Sequence, residues 1–181
     1  MSPSADLFLT PTDPSHFGRL YELCRDPIVY RTWRMGGPSM DTREFEMLMT
    51  KDIHLQYSVV VNGAVQGLVR TYGTSPRDQT SSLAGFMAPN LHQTGVGIKA
   101  FGTIIEQAFN EFPVRKIYLE ANRTAVGQYR SVLDKFAEVE GTLREHQWVG
   151  GHFEDVVIAA IFRAHWMTAI DRFRSRLPPI R

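Results

Sequence analysis

A glycine-bearing turn is the clearest place for chemistry in this sequence. Leu83 to Ala88 is a short apolar run stopped by Pro89, and His92-Gln93-Thr94-Gly95-Val96-Gly97-Ile98-Lys99 follows at the head of a helix-periodic stretch. A strand, a glycine turn and a helix start, in that order, aim successive backbone N–H groups at one spot, where the helix dipole adds partial positive charge. Glycine lets a phosphate approach the backbone with no side chain in the way. The expectation is an anion site, with a pyrophosphate as the best-fitting anion.

Two ligand classes compete for such a site. Gly95-Val96-Gly97-Ile98-Lys99-Ala100 fits the dinucleotide pattern G-x-G-x-x-G/A, and Glu120 lies about 20 residues on, where a ribose-binding acid belongs. The order of elements argues against a nicotinamide. The turn sits mid-chain behind a hairpin, and after Glu120 the chain has one helix and a long hairpin, which leaves no strands for a doubly wound sheet.

The elements that must hold this turn can be read in order. Leu7-Phe8-Leu9 is a first strand, and Ser15 is the expected cap of a helix carrying Phe17, Leu20, Leu23 and Cys24 on one face. Tyr30 to Met40, with Gly36-Gly37-Pro38, reads as an irregular loop. Asp41 and Glu44 form a capping box for a second helix through Phe45, Leu48 and Met49. Leu55 to Val61 and Ala64 to Tyr72 flank Asn62-Gly63, a strong hairpin signal. Thr74 to Ser82 reads as a loop. Ile98, Phe101, Ile104, Ile105, Ala108, Phe109 and Phe112 line one helix, stopped by Pro113. A strand from Lys116 to Glu120 and a helix bearing Val126, Tyr129, Val132, Leu133 and Phe136 come next. Val139 to Val149 then turns at Gly150-Gly151 and returns as Phe153 to Phe162. Apolar residues on both faces of the return strand give it a central place in the sheet. The tail from Ala164 has Trp166, Ile170, Phe173 and Leu177 at helical spacing, packed either on its own domain or on a second copy. Antiparallel hairpins around a single crossover make an α/β (α+β) chain with a mixed sheet.

Composition narrows the functions. The chain has 181 residues, which fits one domain spanning 1–181; 43% are hydrophobic and the formal charge is +1. That balance gives no support to nucleic-acid binding. Cys24 is the single cysteine, so neither an internal disulfide nor a cysteine zinc site can form, and its place on an apolar stripe makes it core. No H-E-x-x-H, C-x-x-C or G-x-S-x-G occurs, so metal and serine-hydrolase machinery lack spacing support. Met1 to Asp6 is small and polar, unlike a secretory leader, and Val156 to Phe162 is too short to span a bilayer. A soluble, cytoplasmic protein without a membrane partner is expected.

From Leu7 to Trp166 the sequence resembles the Gcn5-related N-acetyltransferases, in particular the branch typified by ribosomal-protein N-terminal acetyltransferases. His92-Gln93-Thr94-Gly95-Val96-Gly97 is similar to that family's coenzyme A loop, R/Q-x-x-G-x-G/A, with His92 at the first position. Leu119-Glu120-Ala121-Asn122, Val132-Leu133-Asp134-Lys135 and Glu140-Gly141-Thr142-Leu143-Arg144 resemble later landmarks. So do Gly150-Gly151, Asp155 and Arg163-Ala164-His165-Trp166. The chain departs from the pattern at Thr124-Ala125, where a serine is expected, and at Phe136-Ala137, where glycine-phenylalanine is expected.

The resemblance implies a mostly antiparallel sheet, flanked by helices, with a splayed central pair of parallel strands, Leu83 to Ala88 and Lys116 to Glu120. It implies acetyl-CoA, or another acyl-CoA, as co-substrate, with its pantetheine beside Phe86, Met87 and Ala88 and its pyrophosphate at His92, Gln93, Thr94, Gly95, Val96, Gly97, Ile98 and Lys99. No metal is implied. A primary amine, on a small molecule or a protein N-terminus, would attack the thioester directly. Glu120 is the first candidate base; the alternative is a solvated carboxylate, or one paired with Arg115 or Lys116. His54, His146 and His152 can also titrate in the useful range, and His146 lies nearest the expected acceptor side. Tyr129 is either the acid for the leaving thiolate or simple core. Asn122 either bonds the pantetheine or caps the following helix. Tyr30, Trp33 and Trp148 are expected to shape the acceptor pocket. Two other functions stay open: an acyl-CoA-binding sensor without turnover, and a transferase using a longer or carrier-protein-bound donor. A monomer and a homodimer are both compatible with the sequence.

Overall fold

Seven strands form one sheet in the order β1-β2-β3-β4-β5-β7-β6 in a computed structural model describing residues 6–33 and 39–181, and of 128–133 the backbone alone. The strands are β1 (Leu7–Pro11), β2 (Ile53–Val61), β3 (Ala64–Ser75), β4 (Thr80–Met87), β5 (Lys116–Asn122), β6 (Glu138–Val149) and β7 (His152–Phe162). The helices are α1 (Phe17–Cys24), α2 (Pro27–Tyr30), α3 (Thr42–Thr50), α4 (Val96–Glu111), α5 (Arg123–Phe136) and α6 (Arg163–Ala169). All neighbouring strands run antiparallel except β4 and β5. β7 is paired on both sides, as its two apolar faces predict.

Strand alternation divides the core between the two faces of the sheet. On one face Leu83 and Met87 of β4 join Val69, Ile117 and Ile161 against Ala100, Ile104 and Phe109 of α4 and Trp166 of α6. On the other, Leu68, Phe86 and Ala88 pack against Leu20, Leu23, Cys24, Val29, Phe45 and Met49 from α1–α3 and Trp33 from just after α2. Cys24 is buried in that second cluster, which pushes its pKa up to about 11.

Several local signals act as expected. Asp41 and Glu44 close a reciprocal capping box on α3. Asn62 and Gly63 take φ of 51° and 78° in the β2–β3 turn, the positive φ pair that a twisted hairpin needs. α4 ends at Phe112, extended ahead of Pro113.

Three expectations are corrected. Asp13, not Ser15, caps the first helical turn, because its carboxylate accepts the Ser15 amide at 2.8 Å. The loop from Thr74 to Ser82 shrinks to a turn at 76–79: Thr74 and Ser81 meet through their hydroxyls at 2.9 Å, so these polar residues zip the strands together. The tail is not one helix. α6 stops at Ala169, and short 3-10 turns lead to Ile180, which bridges Leu9 in parallel on the edge of β1. The tail thus packs on its own sheet. Residues 34–38 of the predicted irregular loop lie outside the described residues, while 27–30 before them form α2.

Candidate active site

The parallel pairing of β4 with β5 runs from Thr80↔Lys116 to Leu83↔Leu119 and stops. Both strands continue. β4 stays on β3 through Met87, and β5 stays on β7 through Asn122. Each is held from its outer side, so a gap opens between them beyond Leu83 and Leu119.

The register decides which backbone groups face that gap. The Ala88 amide donates to the Gln66 carbonyl of β3 at 2.7 Å. Antiparallel alternation then turns the polar groups of Phe86 toward β3 as well, and those of Gly85 and Met87 toward the gap. Phe86 also points its ring away, edge-on to Trp33 at 4.9 Å. Of the three residues expected beside the pantetheine, Met87 alone presents its main chain to the gap, and Gly85 joins it.

α4 starts over the same end of β4. Gly95 is its N-cap with φ of 82°, a left-handed conformation that other residues adopt at a cost, and no side chain caps the helix from that position. Thr94 bonds the Leu91 carbonyl and receives the Val96 amide. The Gly97 and Ile98 amides have no carbonyl of an earlier turn to meet, the situation that makes a helix start an anion site. Gly85 lets this happen close to the strand: a Cβ there would lie 2.8 Å from the Phe101 ring of α4. Sequence reasoning did not single out Gly85.

No family model matches the chain, and no curated protein does. Solved structures match along nearly its whole length. A spermidine N-acetyltransferase from Vibrio cholerae, in complex with CoA and spermine, is 18% identical with a TM-score of 0.77, over 90% of this chain and 98% of that one. A ribosomal L7/L12 α-N-protein acetyltransferase in complex with coenzyme A is 13% identical with a TM-score of 0.73, over 89% and 97%. A probable acetyltransferase (GNAT family) from Chromobacterium violaceum is 18% identical with a TM-score of 0.70, over 92% and 90%. The fold is that of the Gcn5-related N-acetyltransferases.

On this N-acetyltransferase fold, Glu120 is the first residue of β5 past its last pair with β4, exposed and on the face of α1–α3. Neither cation proposed as its partner takes that role: Lys116 pairs with Glu140 at 2.8 Å, and Arg115 donates to the Asp78 carbonyl. Beneath the same face Arg70 is fully buried, donates to the Leu48 carbonyl at 2.7 Å and lies between the Trp33 and Tyr72 rings. Burial pushes its pKa down to about 10.

His92 does not face outward as a phosphate ligand would. Its Nε2 lies 3.2 Å from the Met87 carbonyl, so the proton must be on that nitrogen, and the ring ties the turn back to β4. Asn122 is fully buried, and both its polar atoms are used within the protein. Nδ2 donates to the Arg31 carbonyl at 2.6 Å, and Oδ1 accepts the Ala125 amide at 2.9 Å. The capping role is the one seen.

The remaining candidates are spread out. His146 lies in a bulge of edge strand β6, opposite Asp155, two strands and three residues from the level of Glu120. At about 4.8 Å per strand and 3.3 Å per residue, their backbones are about 14 Å apart, too far for a shared proton. Tyr129 is on α5, with its side chain outside the described residues. Trp33 is 2% exposed and packs edge-on to Phe86 within the second core cluster, so it is core and lines no open surface. Tyr30 is half-buried at the end of α2, and Trp148 is 62% exposed at the hairpin tip, edge-on to Phe153. His54 bonds the Thr74 hydroxyl, and burial lowers its pKa; His152 pairs with Glu154. Among the described residues no group of three His, Cys, Asp or Glu could hold a metal ion, and no helix is long and apolar enough to cross a membrane.

Proposed function

We propose that this chain is an acyl-CoA-dependent N-acyltransferase that moves an acetyl group from acetyl-CoA to a primary amine. The observation that carries the reading is the gap between β4 and β5, edged by the Met87 and Gly85 main chain and headed by the start of α4, whose N-cap Gly95 brings no side chain. A pantetheine arm pairs with such an edge as an added strand, and a pyrophosphate suits the helix start.

Each residue then has a stated task. Gly97 and Ile98 amides receive the pyrophosphate. The Met87 N–H donates toward the acetyl oxygen as negative charge gathers there. Glu120 takes the ammonium proton, directly or through one water, so that a neutral amine forms the C–N bond as the C–S bond breaks. As the amide forms, the nitrogen sheds its second proton to solvent, and Tyr129 gives its own proton to the departing thiolate and regains one from water. His92 and Asn122 are positioning residues, the first for Met87 and the second for the junction of β5, α5 and the end of α2. Tyr30 and Trp148 face the acceptor.

The test follows thiol release from acetyl-CoA with a panel of amines. The solved relatives suggest the arms: polyamines such as spermine and peptides with a free N-terminus. Turnover with any amine, abolished by omitting it, supports the reading. Tight binding of acetyl-CoA with no release from any arm leaves a sensor domain instead.

A further inference from the structure

The C-terminal tail leaves α6 and crosses α4 on its way to β1. Leu177 sits on Gly102, where a Cβ would lie 2.8 Å from its methyl group, and the Thr103 hydroxyl donates to the Pro178 carbonyl. Between the tail, α4 and the end of α5 lies a cavity of about 260 Å³. Its walls include Gly102, Ile105, Phe136, Trp166 and Phe173, and three cations, Lys99, Lys135 and Arg176, join them. Lys135 and Arg176 converge on one ring, with Nζ 5.5 Å and Cζ 6.0 Å from the centre of Phe173. Among the described residues none of the three cations has a carboxylate within ion-pair distance. The neighbouring Arg174 takes Glu106 and Asp171 for itself.

Two like charges held over one ring, beside apolar walls, are the complement of a flat apolar group that carries phosphate. The volume falls below the roughly 300–1,000 Å³ of a site for a drug-sized ligand, which suits a single heterocycle. The cavity is also continuous with the helix start, because Gly95 and Lys99 line both. A ligand whose pyrophosphate rests on the amides of Gly97 and Ile98 has its other half within reach of this cavity.

We infer that the tail completes the nucleotide end of the donor site: the purine enters the cavity against Phe173, and the ribose 3′-phosphate is held by Lys135 and Arg176. This rests on the acyl-CoA reading and adds to it a recognition element contributed by the tail.

The experiment compares acetyl-CoA with its 3′-dephospho analogue by calorimetry, using the full chain and the Lys135→Ala/Arg176→Ala double variant. Both side chains are exposed, and the double variant is expected to melt within about 2 °C of the parent. The parent should bind acetyl-CoA about tenfold more tightly than the analogue, as one charge-assisted phosphate contact at an exposed rim allows. The double variant should lose that preference, with its affinity for the analogue unchanged within twofold. Adenosine 3′,5′-bisphosphate should compete with acetyl-CoA on the parent and about tenfold less well on the variant. A parent indifferent to the 3′-phosphate, or a double variant that keeps the full preference, overturns the inference while leaving the transferase reading intact. Binding of neither donor overturns both. A tail-dependent preference without turnover on any amine upholds the inference and removes the transferase.

Discussion

Replacing Asn122 separates the two roles that its position allows. In Asn122→Ala the first loss is the cap of α5, where Oδ1 meets the Ala125 amide; such a loss costs about 1 kcal/mol. The second is the part-buried bond from Nδ2 to the Arg31 carbonyl, worth about 0.5–1.5 kcal/mol net because solvent can replace the donor. Together they remove roughly 1.5–2.5 kcal/mol, and at about 2–4 °C per kcal/mol for a chain of this size the melting temperature should fall by about 3–10 °C. Asn122→Asp keeps the cap but sets a carboxylate oxygen against the Arg31 carbonyl. Its folded-state pKa is then raised above the usual value near 3.9, so the variant gains on the parent as pH falls through that raised pKa. Thermal melts from pH 7.5 to 4.5 should show the gap between Asn122→Asp and the parent closing toward the acid end. Acetyl-CoA affinity, measured well below the melts, should stay within about threefold, while KM for the amine rises if Tyr30, next to Arg31 at the end of α2, faces the acceptor as proposed. A variant Asn122→Ala that melts within 2 °C of the parent yet loses tenfold in acetyl-CoA affinity would refute this reasoning and make Asn122 a donor contact.

Four other substitutions or probes report on separate parts of the site. Glu120→Gln should lower kcat about 10²–10⁴-fold with donor affinity unchanged within twofold, and its rate should recover as pH rises and free amine accumulates; undiminished kcat removes Glu120 as the base. Gly95→Ala forces a β-carbon into φ of 82° and should cost about 1–2 kcal/mol in a urea melt, along with at least tenfold in acetyl-CoA affinity. His92→Gln retains a donor for the Met87 carbonyl and should bind acetyl-CoA like the parent, whereas His92→Phe should bind about fivefold more weakly; equal binding by both means that the brace contributes nothing. Cys24, with its pKa pushed up to about 11 from 9.0, carries about a hundredfold less thiolate at pH 8 than an ordinary thiol, so it should react with a disulfide reagent only in denaturant. Rapid labelling of the folded chain contradicts the burial, and slow labelling keeps thiol-release assays clean.

Much of the fold is legible because the deciding signals are local. A capping box at Asp41 and Glu44, an Asn62-Gly63 turn and a stop at Pro113 need nothing beyond a few neighbouring residues. The tail was unreadable as a sheet partner because its final residues are bordered by Pro178 and Pro179, which carry no N–H and show no alternation, and the bridge to Leu9 joins the two ends of the chain. The site divides in the same way. The helix start is legible from Gly95 because a left-handed turn needs that residue. Which of Phe86, Met87 and Ala88 offers its main chain to the gap is set by the hydrogen bond from Ala88 to Gln66, a property of register between two strands. The distance of His146 from Glu120 likewise depends on the bulge opposite Asp155, which no local pattern announces.

The gap itself follows from competition between partners. Leu83 and Leu119 end the β4–β5 ladder, and closing it further would require β4 to leave β3 or β5 to leave β7. Each strand keeps its antiparallel partner, and their divergence leaves the Gly85 and Met87 polar groups on an inner edge. The Met87 carbonyl already accepts from His92, but the Met87 N–H and the Gly85 groups are costly to bury without a partner, so an added strand that pairs with them is favoured by hydrogen bonding. The helix start of α4 lies on one face of the sheet, while Glu120 and Trp33 belong to the other. Under the proposed function a donor seated from the α4 side would present its reacting carbon through the gap to an acceptor on the α1–α3 side. In the proposed reaction neither substrate has to leave for the other to arrive, which is the geometry that direct transfer through a ternary complex requires.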